Sequence, residues 1–179
     1  MGQDLHGQVE IRGPLRWRAV VDAGNLLERD SWAHGVLFGQ GRVSLFEPLF
    51  AGRGLPDDVS GTTREVAEGL FAPSWFTLAE LEAVDLDVLS ERPWVEEHRE
   101  DPDGTTSLVR TYSRNPLEGP AGERLAAEGE LREGDRRWTL EHVSRREALA
   151  GFRVLFEILE VLGRHHGPEN VRLVVGFDV

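Results

Sequence analysis

Two residues near the start of the chain, Asp4 and His6, are spaced to act together. Two apart in an extended segment, they share a face. An aspartate beside a histidine can orient the ring for general-base work, or join it in ligating a metal. Asp178, in the closing segment, is the third candidate. If the first and last strands are antiparallel neighbours, Asp178 comes beside Asp4 and His6. Two carboxylates and one imidazole would then suit a divalent metal, the one cofactor the chain suggests. Parallel pairing would carry Asp178 to the other end of the first strand. The plain alternative is a solvated strand face, continued by Gln8 and Glu10.

A second candidate lies in Phe46 to Glu65, FEPLFAGRGLPDDVSGTTRE, which has the pattern of no regular element. Arg53 stands between Gly52 and Gly54. Flanking glycines let a backbone approach a ligand, and a guanidinium grips carboxylate or phosphate in a fork. Arg53 can equally close the loop on Asp57 or Asp58. Those two acids also suit the entrance to a following helix, where the helix dipole favours negative charge. His165 and His166 fall at a helix end with diverging rings, as C-terminal cations rather than a metal pair.

Composition removes several chemistries. The chain has no cysteine, so thiolate catalysis, disulfides and cysteine-held zinc are out. All 20 basic residues are arginine, which removes Schiff-base and P-loop lysines. The formal charge is −12. An acidic surface repels phosphate backbones, so nucleic acid is disfavoured, and the charge serves either simple solubility or a basic protein partner. No apolar run approaches the ~20 residues of a membrane helix. MGQDLHGQVE lacks the basic end and apolar stretch of a signal peptide, so a cytoplasmic protein is expected.

The elements that must position these residues follow from periodicity. Leu5, Val9 and Ile11 alternate with polar residues and predict a strand, paired as a hairpin with Leu15 to Asp22 across Gly13-Pro14. Asp30 or Ser31 caps a short helix through Phe38. Thr62 with Glu65, and Thr77 with Glu80, predict two helix starts by capping box. Ala72-Pro73-Ser74 reads as the break between them. Strands are predicted at Trp94 to Arg99 and Thr105 to Arg114, then Gly129 to Arg132 and Arg137 to Val143. Gly122 to Glu128 also has helical character. One long helix is predicted from Arg145 to about Arg164, with an apolar stripe from Leu149 to Leu162. Val171 to Asp178 is apolar on both faces and belongs inside a sheet. Residues 1–179 are expected to form a single α+β domain: a mainly antiparallel sheet, helices packed on one face and a long polar loop.

MGQDLHGQVEIR, RGLPDDVS, PSWFTLAEL and VRLVVGFD resemble a family of small uncharacterised proteins of phages and actinobacteria. Members open with Met-Gly-Cys-Asp-Ile-His and carry an Arg-Gly-Leu-Pro-x-Asp segment. Here Gln3 replaces the cysteine, so a role for that thiol would be missing. The resemblance implies no activity. Two functions are therefore expected: a binding module for a basic partner, or a small hydrolase with Asp4, His6 and Arg53 catalytic and Asp4, His6 and Asp178 as metal ligands.

Overall fold

The computed structural model describes residues 4–24, 26, 30–41 and 45–178. Gln3, which the resemblance singles out, lies outside them. The chain divides into two compact units, Met1–Val88 with Arg145–Val179, and Leu89–Ser144. Each holds a four-stranded antiparallel sheet with helices, so the fold class is α+β. Among the described residues no helix is long and apolar enough to cross a membrane.

The first unit is built on strands β1 (Leu5–Arg12), β2 (Trp17–Asp22), β3 (Phe71–Thr77) and β8 (Val171–Phe177), ordered β2-β1-β8-β3. Its helices are α1 (Ser31–Phe38), α2 (Gly61–Ala67), α3 (Leu78–Glu82), α5 (Arg145–Ala148) and α6 (Arg153–His166). The closing strand is central and all seven of its residues are buried, as expected of a strand apolar on both faces. Leu173, Val175 and Phe177 face a core that includes Phe38 and Phe76, with Phe177 meeting Phe38 at 5.8 Å between ring centroids. Helix α6 packs its Leu155 and Leu159 into the same unit's interior. The hydroxyls of α2 meet the opposite face.

Local signals explain the shorter elements. Asp30 accepts from the backbone N–H groups of Trp32 and Ala33 and starts α1, and Gly39, at φ 70°, ends it in the left-handed conformation glycine tolerates. Thr77 and Glu80 form the capping box of α3. Helix α2 begins earlier than Thr62: Ser60 is its cap, with its hydroxyl accepting from Thr63 N–H.

Two expectations are corrected. Ala72-Pro73-Ser74 lies inside strand β3, between α2 and α3, and is not an irregular break that ends the first helix, which already stops at Ala67. The segment is accommodated as a bulge, with Phe71 opposite Phe177, Ser74 opposite Val175 and Ala72 at φ 47°. Proline is tolerated there because β3 is an edge strand. The long terminal helix is also interrupted, by a 3-10 turn at Ala150–Phe152. Gly151 sits in that turn, and a Cβ there would press on the carboxyl of Asp30, the cap of α1. Low helix propensity and this close approach favour a tight turn over a continuous helix.

The second unit holds β4 (Trp94–Glu100), β5 (Thr106–Tyr112), α4 (Gly119–Glu128), β6 (Glu130–Glu133) and β7 (Arg136–Glu141), with sheet order β5-β4-β7-β6. Val95, Leu125, Leu131 and Trp138 form its core. Gly129, at φ 76°, ends α4 and turns the chain into β6. Buried Glu97 is satisfied by Tyr112 Oη at 2.6 Å and Arg136 Nη1 at 2.7 Å.

Phe152 is fully buried against His34 and Phe156. Phe152→Ala should therefore cost about 3–5 kcal/mol, read as a lowered denaturation midpoint with an unchanged slope. A shift of only a degree or two in melting would contradict this packing.

Candidate functional site

The dominant polar centre of the first unit is set by strand register. Glu10 on β1 lies opposite Arg172 on β8, so both side chains leave the same face. Glu10 is 0% and Arg172 2% exposed. Arg172 donates from Nε to Glu10 Oε2 at 2.8 Å, and its Nη2 lies 2.7 Å from the same oxygen. Nη1 donates to Asp58 Oδ1 at 2.7 Å, and Nη2 to the Asp58 carbonyl at 3.3 Å. The guanidinium lies over the Trp17 ring, 3.9 Å from its centroid. Glu10 Oε1 accepts from Thr63 Oγ1 at 2.6 Å and from Ser60 N–H at 2.9 Å. Trp17 Nε1 donates to Asp58 Oδ2 at 2.9 Å.

Every oxygen of both carboxylates thus has a donor. Burial alone pushes Glu10 up, but the bonds from Ser60, Thr63 and Arg172 outweigh it and hold its carboxyl below the ordinary glutamate range. The Arg172 hydrogen bond holds Asp58 below its ordinary value. Both acids stay charged, and the network's capacity is spent on its own members. It ties β1, β2, β8 and the start of α2 together, and engages all three nitrogens of the Arg172 guanidinium.

The sequence-predicted residues are partly brought together. Antiparallel pairing of β1 with β8 puts Leu5 opposite Phe177 and His6 opposite Gly176. His6 Nε2 lies 3.0 Å from Asp178 Oδ2, with both side chains nearly half exposed. The Asp4 N–H donates to Asp178 Oδ1 at 3.3 Å, and Asp178 N–H to the Asp4 carbonyl at 3.1 Å. The three residues therefore adjoin. Among the described residues, however, no group of three or more His, Asp or Glu side chains is placed to hold a metal ion.

Arg53 is engaged elsewhere. It donates to Glu80 Oε1 at 2.8 Å and lies over the rings of Phe50 and Trp75, at 5.0 and 5.4 Å from their centroids. Gly52 and Gly54 have φ of 69° and 71°, and a Cβ on either would meet open space. Both glycines take the left-handed turn conformation that glycine tolerates. The loop itself is pinned: Phe50 stacks on Phe76 at 4.6 Å, Phe50 N–H donates to the Leu37 carbonyl and Gly54 N–H to that of Pro73. Asp58 belongs to Arg172 rather than to the entrance of α2.

Sequence reasoning passed over Arg172 and placed Glu10 on a solvated face. The signal was present: an arginine inside a strand apolar on both faces requires a buried partner. His34 was also missed. It is buried between Phe152 and Phe177, with Nε2 unbonded. Burial pushes its pKa down, with Asp30 and Asp4 opposing, so the ring is neutral near neutral pH.

No protein family, curated protein or solved structure matches the chain.

Removing one side of the network should be severe. Glu10→Gln leaves a buried guanidinium under-compensated and should cost about 3–5 kcal/mol, whereas Glu10→Gln with Arg172→Met should recover a large part. Because both acids have depressed pKa values, their stabilisation is complete above the ordinary values of 4.5 and 3.8. It is lost as pH falls through the lower folded-state values. The wild type should thus lose stability progressively as pH falls below those ordinary values, and the acid limb of Glu10→Gln should be shallower. Urea melts across pH test this, and an equally steep limb in the variant would contradict it.

Proposed function

We propose that the protein works by binding, as an acidic interaction module for a basic protein partner in the cytoplasm. The observation that carries this reading is the charge: 32 acidic residues against 20 arginines, with a formal net of −12. Such an excess steers a positively charged partner and disfavours nucleic acid. The interior chemistry supports it by elimination. Arg172, the buried arginine of the first unit, is committed to Glu10, Asp58 and Trp17. Arg53 is committed to Glu80. The resemblance to phage and actinobacterial proteins adds no competing activity. The test is affinity capture from host extract at low salt, beside an inert protein of matched charge. A basic protein enriched only on this chain, and released by raised salt, is expected. No enrichment over the matched control would overturn the reading.

One observation favours the hydrolase alternative, with Asp178 in the orienting role. His6 and Asp178 form a carboxylate–imidazole pair, the arrangement that aims a ring nitrogen for general-base work. Asp4 adjoins it, while Arg53 would have to leave Glu80 to serve the same site. If this reading holds, hydrolysis of a panel of ester and phosphoester probes should exceed buffer and fall about 100-fold in His6→Ala. Equal rates in the two proteins would remove it.

A further inference from the structure

A cleft of about 440 Å3 opens beside the Arg172 network, between β2 and the start of α2. Arg16, just before β2, and Arg18 on it border one side, Asp58, Thr62 and Glu65 the other, and Trp17 also lines it. Its volume lies in the range of small-ligand sites, roughly 300–1,000 Å3. We propose that this cleft binds a small zwitterion of the amino-acid or short-peptide class, its carboxylate toward Arg16 and Arg18 and its ammonium toward Glu65.

Three observations carry the assignment. First, the cleft holds both signs of charge without joining them. Among the described residues Arg16, Arg18 and Glu65 form no ion pair, although carboxylates outnumber arginines in this chain. Some other arginines pair with acids, as Arg53, Arg146 and Arg153 do. Opposite charges that border one cleft and stay apart leave a gap that a ligand with both charges would bridge. A simple anion would meet Asp58 and Glu65, and a simple cation would meet Arg16 and Arg18, so each is opposed at one wall.

Second, the geometry permits the reach. Strand β2 is the outermost strand of its sheet, so long side chains from either face can extend round its free edge. Thr62, at the far wall, is exposed and has no side-chain hydrogen bond among the described residues. Its hydroxyl can serve either end of a ligand.

Third, the far wall is rigid. Asp58 is fixed by Arg172 and Trp17, and Ser60 is fixed by Glu10 and by capping α2. A ligand would therefore lose little to ordering the protein. The site stands apart from the basic-partner reading and does not depend on it.

The experiment is an amide-resolved NMR titration with alanyl-alanine, its N-acetyl form and its C-terminal amide. Saturable shifts confined to residues 16–19 and 58–65 are expected with the zwitterion, with a dissociation constant on the order of 1 mM. Blocking either end should weaken binding by about tenfold or more. Glu65→Gln should remove the advantage of the free ammonium, and Arg16→Gln with Arg18→Gln that of the free carboxylate, with melting unchanged. No saturable shift at about 20 mM zwitterion overturns the proposal, as does equal binding by either blocked form. The comparison of the three ligands uses the unaltered protein, so it decides the matter even where a variant folds poorly.

Discussion

A guanidinium enclosed in the central strand of a sheet is a severe constraint, because an unpaired buried charge costs several kcal/mol. Arg172 is such a group. Its compensation cannot come from one neighbour, since Glu10 saturates one edge of the fork and leaves the other open. Asp58 fills that edge, which fixes the loop carrying it, and that loop delivers Ser60 to cap α2. Trp17 covers the flat face and is held there by Asp58. The order β2-β1-β8, the path of the loop and the start of α2 are thus separate answers to one electrostatic demand.

The second unit meets a smaller version of the same demand with Glu97, bonded by Tyr112 and Arg136 across neighbouring strands. The Glu97 bond also raises the Tyr112 phenol's pKa. Both sheets share a further device. Their open-edge strands each carry an extra residue against the partner: Val20 in β2, one within Ala72-Pro73 in β3, and Val109 in β5. β6 is short instead, at four residues. Bulged and short edges resist pairing with another chain. Recognition by strand addition is accordingly a poor use of this fold, and charge and clefts are better ones.

Much of the frame was legible because it rests on local rules. The hairpin of β1 and β2, the Asp30 cap, the Thr77–Glu80 box and the two-faced burial of β8 each follow from residue type and spacing. The antiparallel placement that brings Asp178 to His6 was legible as one of two alternatives. What was hidden depended on distant neighbours. Nothing local says that Ala72-Pro73 will bend an edge strand, because the bend depends on pairing with a strand about 100 residues away. Gly151 breaks the terminal helix against Asp30, a contact between segments far apart in sequence. Glu10 looked solvated because alternation shows a polar face without showing that α2 covers it.

The same distinction bears on activity. A catalytic group needs an unspent lone pair or proton in a partly dry setting, where its charge is not screened. In this protein the buried charges are spent: Glu10 and Arg172 satisfy one another with the exposed Asp58, and Glu97 is closed by two donors, whereas the buried, neutral His34 keeps an unbonded Nε2. The other unspent groups are wet, as with His6 and Asp178, or Arg16, Arg18 and Glu65 at the cleft. Groups in water recognise charge at modest strength and exchange quickly, which suits reversible association. Dry groups hold shape. The chain uses its buried charges to fix the surface on which its exposed charges are displayed.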